Sequence, residues 1–274
     1  MFTKKHVKNV KRFWLTFALL AILSVWVSRT WANAQQEGYA LAKLIEAKQR
    51  GYGDIRFTAE MILRDPMGGV AQRKLRMKLK EVPGIPEGGD RALLVFDAPK
   101  DIRGTALLIW TLKGDTEEDQ WLYLPANKRV KRIMAGHRTG SFMASEFLYE
   151  DLGSQTLEKF TYRRLKDAKI NGLDCYGIER VPVNGNSAYS KQVAYFDKNE
   201  LRLQLVNFYD KNRALLKVLT ATGYQQQGRF WRASKLEMVN KQTGYVTTLL
   251  ITDMRYNTGL KDSDFDQDAL KSAN

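Results

Sequence analysis

Apolar and polar residues alternate along most of this sequence, and this period of two limits the fold more than any other feature. In the first such segment, Ile55, Phe57 and Ala59 alternate with charged or polar neighbours. Successive side chains of a β-strand point to opposite faces of the sheet, so the alternation predicts antiparallel strands with one apolar and one solvated face. The predicted strands cover residues 55–64, 74–80, 91–97, 105–112, 120–124, 128–134, 156–165, 173–182, 189–197, 201–209, 214–222, 229–239 and 245–256.

Turn residues separate the predicted strands, and the segment Asp65–Gly69 predicts a hairpin between the first two. About a dozen strands are more than a small open sheet usually holds, so we expect the sheet to curl. A period of 20–50 residues would indicate a propeller or a solenoid, and the sequence shows none. It also lacks a linker rich in Pro, Gly or Ser, and we therefore expect a single domain over residues 35–274.

Three segments depart from the period of two. Residues 36–50 have a helical period and are followed by Gly51, which predicts an amphipathic helix. Residues 141–152 carry bulky side chains at mixed spacing and predict a short helix or an ordered loop. Residues 263–270 begin with the capping residue Ser263 followed by acids, which predicts a final short helix. The stripe of the first helix is predicted to comprise Leu41, Leu44, Ile45 and Lys48.

The first 34 residues have the three parts of a cleavable secretory signal peptide. A basic region precedes an apolar run from Phe13 to Val27, and the small-residue motif Ala32-Asn33-Ala34 follows. The alternative is an uncleaved anchor, but a run of about fifteen residues is shorter than the roughly 20 that a spanning helix needs. We therefore expect cleavage near Ala34, export across the inner membrane and a soluble mature chain.

The net charge of the chain limits the classes of partner that it is expected to bind. The net charge of +14 includes six basic residues of the leader, so the exported chain carries +8. A basic chain suggests nucleic acid, anionic lipid or an acidic partner. Export argues against nucleic acid and leaves the other two.

The sequence offers few groups for catalysis. Cys175 is the only cysteine and lies in a β-like run, which favours a buried structural thiol over a nucleophile with a nearby base. His137 is the only histidine after residue 34, which argues against a Cys/His dyad or a histidine-rich metal site. A Gly-rich phosphate loop, a Gly-x-Ser-x-Gly elbow and a His-Glu-x-x-His motif are all missing from the sequence. We predict no catalytic residue, no metal and no cofactor, and hence no enzyme.

The densest positive region of the exported chain comprises Lys128, Arg129, Lys131 and Arg132. These side chains either form the solvated face of one strand or contact lipid head groups or an acidic partner. Aromatic residues are frequent around this region. They either belong to the core, which is their usual place, or line a cavity inside the curled sheet, because large barrels that side chains do not fill become ligand sites.

Five blocks, in order along the chain, carry a resemblance to a known family. The first reads Phe-Asp-Ala-Pro-Lys-Asp-Ile-Arg-Gly-Thr-Ala-Leu-Leu, and the blocks cover residues 96–108, 121–133, 141–152, 208–211 and 265–270. Together they resemble outer membrane lipoprotein-sorting proteins, a branch of the superfamily of the periplasmic lipoprotein carrier LolA. That family tends to show Gly-Ser-Asp where this chain has Ala144-Ser145-Glu146. Alanine in place of glycine removes access to positive φ, so a lid formed by this segment would move differently here.

The resemblance implies a mainly antiparallel β fold (α+β), a strongly curved half-open β-barrel with short helices covering its concave face. It implies a periplasmic carrier that binds lipid or lipoprotein acyl chains in an apolar cavity and takes part in outer-membrane lipoprotein or lipid sorting. The alternative is a non-enzymatic periplasmic sensor or accessory partner of an inner-membrane transporter, docked through Arg129 and Arg132. The candidate cavity residues are Phe57, Met77, Phe96, Trp110, Phe142 and Phe147.

Overall fold

The computed structural model describes residues 32–82, 89–111 and 118–272. Up to residue 31, the predicted signal peptide lies outside the described residues. Helix α1 is the first described element, over residues 32–49, and helix α2 (Gln267–Lys271) is the last. Between them lie the strands β1 (Asp54–Arg64), β2 (Val70–Glu81), β3 (Asp90–Ala98), β4 (Ala106–Thr111), β5 (Asp119–Leu124), β6 (Arg129–Arg132), β7 (Phe160–Ile170), β8 (Leu173–Pro182), β9 (Lys191–Asp197), β10 (Leu203–Tyr209), β11 (Leu215–Gln227), β12 (Phe230–Asn240) and β13 (Val246–Tyr256).

All thirteen strands form one antiparallel sheet in the order β6-β5-β4-β3-β2-β1-β13-β12-β11-β10-β9-β8-β7. Strands that are consecutive in sequence pair with each other, apart from β6 and β7, which form the two edges; at the centre, the first strand β1 also pairs with the last strand β13. Among the described residues these edge strands do not pair with each other, so the sheet is not closed. The predicted antiparallel β class is confirmed.

The predicted hairpin between β1 and β2 is confirmed, and its turn shows why the sequence folds there. The Asp65 carboxylate accepts hydrogen bonds from the backbone N–H groups of Met67 and Gly69, at 2.8 and 2.9 Å. Such a side chain satisfies backbone donors that the ladder cannot reach, which stabilises a tight reversal. Strand limits are less well predicted: β7 begins at Phe160 because Leu157–Lys159 forms a 3-10 turn.

Strands β3 to β5 are buried on both faces of the sheet. On one face, Leu94 and Phe96 belong to a cluster with strands β1 and β2. On the other face, Leu93 and Val95 pack in a cluster that includes Leu270 of α2. A strand covered on both sides reads as a continuous apolar run, and residues 92–96 do so.

Helix α1 packs against the strands beyond β13 through Ile45 and the partly buried Leu41 of the predicted stripe, but not through Leu44. Its buried positions are Gly38, Ala42 and Ile45, whereas Leu44 is 56% exposed. Gly38 sets this orientation, because a Cβ atom there would lie 2.7 Å from the backbone carbonyl carbon of Arg163 on β7. The prediction that Leu44 belongs to the packed face is therefore wrong: close approach at a glycine, rather than side-chain size, selects the face.

The segment over residues 141–152 forms two short 3-10 turns, Phe142–Ala144 and Tyr149–Asp151, joined by a bridge between Ser141 and Leu148. It is therefore an ordered loop, one of the two predicted outcomes. Ala144 has a φ of 55° and Met143 a φ of 51°. Alanine in this segment thus adopts positive φ, and our expectation that it could not is wrong. The left-handed region costs about 1–2 kcal/mol for a residue with a Cβ atom, so other contacts must hold the segment in place.

The last described element is the predicted short helix, but its N-cap lies three residues after the predicted cap. Asp266 is the N-cap of α2, and its Oδ1 accepts a hydrogen bond from the Ala269 N–H at 2.7 Å. Ser263 lies in a preceding 3-10 turn instead. Within residues 32–82, 89–111 and 118–272, no helix has the length and apolar character needed to cross a membrane.

Candidate functional site

A cavity of about 520 Å³ lies between α1, the chain around Phe147 to Leu157 and ten strands. These strands are neighbours in the sheet, in the order β3-β2-β1-β13-β12-β11-β10-β9-β8-β7. In a flat sheet, ten strands would span about 43 Å at a spacing of 4.8 Å. A wall shared by ten neighbouring strands is what a sheet that bends around one cavity would give, in agreement with the predicted curl.

The middle of the cavity is apolar because strand alternation points one face of each strand inward. Val206 and Phe208 on β10 line it at a spacing of two, as do Leu236 and Met238 on β12. Three of these residues are at most 4% exposed. From α1, Ile45 packs against the same cluster. The cavity is thus a continuation of the core in which the side chains leave space.

The alternation changes at Gly223 on β11. Ala221 and Tyr224 both line the cavity although they are three residues apart. Gly223 lies between them with a φ of 64°, and a Cβ atom there would come within 2.3 Å of Ser234 Oγ. Glycine adopts this conformation without steric cost. The kink turns Tyr224 inward, where its hydroxyl donates a hydrogen bond to the Leu203 carbonyl.

One end of the cavity has a rim of arginine and aromatic side chains, next to the β11–β12 turn. Arg232 lies over the ring of Tyr52 at 5.8 Å and donates a hydrogen bond to the Gln49 carbonyl of α1. Arg229 donates to the Arg50 carbonyl just beyond the helix. Burial, together with the charge of Asp90, raises the pKa of Tyr52, so this phenol stays neutral. A guanidinium group is attracted to the face of an aromatic ring, and this attraction helps to hold the Arg232 side chain in place at the rim.

The other end of the cavity is crossed by a row of directly paired residues, which we call the Arg180 row. It consists of Arg180, Gln192, Phe208, Lys217 and Asn240, one from each of β8 to β12. Residues directly opposite each other in an antiparallel sheet share a face. Since Phe208 lines the cavity, the whole row faces that side of the sheet.

The segment over residues 141–152 docks on the Arg180 row through buried polar contacts. Lys217 is 2% exposed, donates to the Glu146 carbonyl at 2.7 Å and lies 3.6 Å from the Asp151 carboxylate. Asn240 Nδ2 donates to the Glu146 carboxylate at 2.8 Å. Burial raises the pKa of Asp151, while Lys217 opposes that rise. These contacts supply what holds Ala144 in its left-handed conformation.

A second cavity of about 460 Å³ adjoins the first at this end. Asp151, Gln155 and Gln192 line both cavities. The second cavity is more polar, with Glu150 and Lys159 among its lining residues. Burial raises the pKa of Glu150. The two spaces are therefore separated by a thin polar wall at the Arg180 row.

The structure brings two of the six predicted cavity residues to the cavity wall, Phe57 and Phe147. The others lie in the packed clusters around it. Phe96, Phe142 and the half-buried Met77 belong to the cluster over β1 to β5, where the rings of Phe96 and Phe142 stack at 5.8 Å. Trp110 packs on the opposite face, and its Nε1 donates to the Phe265 carbonyl at 2.8 Å.

The predicted basic patch lies at the edge of the sheet, away from the cavity lining. Lys128 ends a 3-10 turn, and Arg129, Lys131 and Arg132 lie on the edge strand β6. All four are exposed. Arg132 forms an ion pair with Asp119 on β5. The patch is exposed along an edge strand, and its contact with a partner stays a separate hypothesis.

Sequence reasoning missed Arg180, Trp231 and Arg232, which all line the cavity. One signal for Arg180 was available in the sequence. It follows Tyr176 and Ile178 at a spacing of two, so it lies on the same, partly apolar face of the strand. A charged residue at an inward position is uncommon and points to a special partner. The rim residues gave no such signal, because they follow the kink at the β11–β12 hairpin.

Comparison with known proteins gives consistent relatives for this chain. A family model with the description "Uncharacterized protein" matches residues 88–272. An outer membrane lipoprotein-sorting protein domain, so named provisionally, from Vibrio parahaemolyticus is 44% identical with a TM-score of 0.83, over 86% of this chain and 99% of that one. A DUF1329 family protein from Desulfovibrio piger is 29% identical with a TM-score of 0.82, over 86% and 99% of the two chains.

A more distant relative shows the fold alone. A LolA superfamily protein from Nitrosomonas europaea is 17% identical with a TM-score of 0.66, over 84% of this chain and 97% of that one. Among curated proteins, none matches this chain.

Proposed function

This chain belongs to the family of outer membrane lipoprotein-sorting proteins and shares the fold of a LolA superfamily protein, and from these findings we propose that it is a periplasmic carrier of lipid or lipoprotein acyl chains. The observation that carries the proposal is the cavity of about 520 Å³ beneath α1. Ligand sites typically have volumes of about 300–1,000 Å³ and mostly apolar walls. Burial of an acyl chain contributes about 0.8 kcal/mol per CH₂ group, so binding needs no catalytic group.

We further propose that α1 and the segment over residues 141–152 form a movable cover over the concave face of the sheet. Helix α1 contacts β7 at Gly38, Glu200 through Lys48 at 2.7 Å, and β12 through the Gln49 carbonyl. The Lys48–Glu200 ion pair is exposed and of low energetic value, and the apolar contacts of α1 come from Ala42 and Ile45 on one face. A cover held in this way can open to admit a chain without unfolding the sheet.

Residues 1–34 are, in this proposal, a signal peptide that delivers the carrier to the periplasm and is cleaved near Ala34. The support is the order of basic, apolar and small residues in the leader. The intact mass of the protein recovered from a periplasmic fraction tests this point. A mass that begins at residue 35 agrees with it, and a mass that retains the leader contradicts it.

Binding can be tested with a variant that fills the cavity. Ala233 lines the cavity and is half-buried, so Ala233→Trp adds bulk there without a clash in a closed core. Ala71→Trp places the same change on an exposed position of β2 and serves as the control. We expect native mass spectrometry to find lipid on the wild-type protein and on Ala71→Trp, with occupancy strongly reduced in Ala233→Trp.

Displacement of the neutral fluorescent probe N-phenyl-1-naphthylamine by long-chain lipids gives the affinities of the same three proteins. An affinity at least tenfold weaker for Ala233→Trp alone supports the carrier. Equal affinities for all three proteins, or no lipid on any of them, would overturn the proposal.

A second candidate function follows from the exposed basic edge of the sheet. Strand β6 is an edge with Arg129 and Lys131 exposed, and edges of this kind can receive a partner. In this version, the chain is an accessory partner of an inner-membrane transporter. Site-specific crosslinking from Lys131 tests it: capture of one acidic membrane protein supports the idea, and an uncrosslinked chain in membrane preparations contradicts it.

A further inference from the structure

The Arg180 row contains two cations, and the structure treats them differently. Lys217 is matched by the Asp151 carboxylate at 3.6 Å and by the Glu146 carbonyl at 2.7 Å. Arg180 has no such counter-ion: among the described residues, no carboxylate lies within 4.0 Å of its guanidinium group. Its Nε donates a hydrogen bond to the neutral Gln192 Oε1 at 2.6 Å. The segment that docks on this row thus neutralises one of its two charges.

Arg180 lines the cavity and is only partly exposed to solvent. Ile178 lines the cavity next to it, and the Arg180 Cζ lies 5.0 Å from the centre of the Phe160 ring. Burial lowers the pKa of Arg180 to about 10, so it remains a cation at neutral pH. Asp151 faces it across the polar wall but is engaged by Lys217 and by the Tyr189 hydroxyl at 2.9 Å. A partly buried cation without a counter-ion has lost some of its hydration, and that cost falls when an anion binds.

We propose that Arg180 binds the anionic head group of an amphiphile whose apolar chain fills the cavity. The proposal rests on the carrier function and names its ligand class: a single-chain amphiphile with a carboxylate or a phosphate at one end. A guanidinium group binds either anion through two parallel hydrogen bonds, and the Nη atoms of Arg180 are the donors available for this. The head group enters first and the chain extends back along the apolar middle of the cavity.

The rim arginines are the competing position for a head group. Arg232 pairs with Gln225 on β11, which is eight residues from Lys217 in the Arg180 row. Eight residues of strand span about 26 Å, so the two positions lie at opposite ends of the cavity. Arg229 is exposed, and Arg232 already donates to the Gln49 and Trp231 carbonyls. Water and salt screen charges at such a rim, which makes it a weak selector of head groups.

Head-group selection can be measured with three ligands of equal chain length. Hexadecanoate, hexadecyl phosphate and hexadecanol displace N-phenyl-1-naphthylamine from the wild-type protein and from three variants at pH 8. Arg180→Gln removes the charge, Arg180→Lys keeps a charge without the paired donors, and Arg232→Gln is the matched control at the rim. The affinity for neutral hexadecanol reports whether each variant keeps a folded cavity.

We expect the wild-type protein and Arg232→Gln to bind at least one of the two anions at least tenfold more tightly than hexadecanol. Arg180→Gln should reduce that ratio to about one while its affinity for hexadecanol stays unchanged, and Arg180→Lys should fall between. Whichever of hexadecanoate and hexadecyl phosphate binds more tightly identifies the head group.

Two results would overturn the inference and leave the carrier function standing. One is equal affinity of the wild-type protein for anions and hexadecanol; the other is loss of anion preference in Arg232→Gln but not in Arg180→Gln. If none of the three ligands displaces the probe, the carrier proposal fails and this inference fails with it.

Discussion

Replacing Lys217 by methionine tests how the segment over residues 141–152 is held against the sheet. The side chain of Lys217 is 2% exposed and that of Asp151 is 7% exposed, so the pair is shielded from water. Methionine retains most of the apolar stem of lysine and removes the charge together with the hydrogen bond to the Glu146 carbonyl. Asp151 is then left with the Tyr189 hydroxyl and the Leu148 N–H as donors, at 2.9 and 2.8 Å, and with no cation.

The expected loss is large because one partner of a buried pair is removed. Breaking such a pair costs about 3–5 kcal/mol, most of it from the charge left behind. With a urea m-value of about 3 kcal/mol per molar for a chain of this size, the midpoint of unfolding should fall by about 1–1.7 M. Lys235→Met is the control: its ion pair with Glu237 is 42% exposed on the lysine side, and an exposed pair is worth about 0–1 kcal/mol.

The pH dependence gives the loss a second signature. Burial already raises the pKa of Asp151, with Lys217 opposing, so removal of Lys217 raises the folded-state pKa further. A group with a folded pKa above its unfolded value of about 3.9 binds its proton more tightly in the folded state, so stability falls as pH rises between the two values. The deficit of Lys217→Met should therefore be smallest near pH 4 and grow towards neutral pH.

Urea unfolding followed by tryptophan fluorescence at several pH values measures both effects. Adding Asp151→Asn to Lys217→Met removes the stranded charge, so the double variant should be more stable than Lys217→Met at pH 7. A loss below about 1 kcal/mol that does not change with pH would refute the reasoning, since it would mean that this pair is solvated like a surface pair.

Three further predictions concern the parts that position the cavity. Ala144→Gly should raise stability by about 0.5–1 kcal/mol in urea unfolding, because glycine avoids the steric cost of a φ of 55° but loses more chain entropy; Ala126→Gly, at an exposed position, should not stabilise. Gly38→Ala should loosen α1, because the new Cβ atom would lie 2.7 Å from backbone atoms of β7; faster hydrogen exchange across residues 38–49 is expected, and unchanged exchange would contradict this packing. Burial opposes a fall in the pKa of Asp54, but hydrogen bonds from the Thr258 hydroxyl and from the N–H groups of Thr258 and Gly259 lower it. Its stabilisation is therefore present above the unfolded pKa and lost as pH falls through the lower folded pKa, so Asp54→Asn should cost about 1.5–3 kcal/mol at pH 7 and little at pH 2.

The local pattern of the sequence determined the strands and their turns. Alternation identified the segments that became β1 to β13, because the two faces of a strand repeat every two residues wherever the chain runs. The turn at Asp65 was readable for the same reason: its hydrogen bonds close within five residues. The β-like run around Cys175 also predicted a buried thiol, and Cys175 is fully buried in the structure.

Only the tertiary structure decided which inward-facing residues meet open space. Phe57 and Phe96 both lie on apolar faces, yet Phe57 lines the cavity while Phe96 stacks on Phe142. The difference comes from how α1 and the segment over residues 141–152 pack against the sheet, and those contacts join residues more than 70 positions apart, such as Glu146 and Lys217. Arg180 was missed for the same reason. Whether a carboxylate lies beside its guanidinium group depends on which residues are its neighbours across the sheet, and the sequence does not show them. Alternation assigns a side chain to a face, whereas packing against distant elements decides what that face contacts.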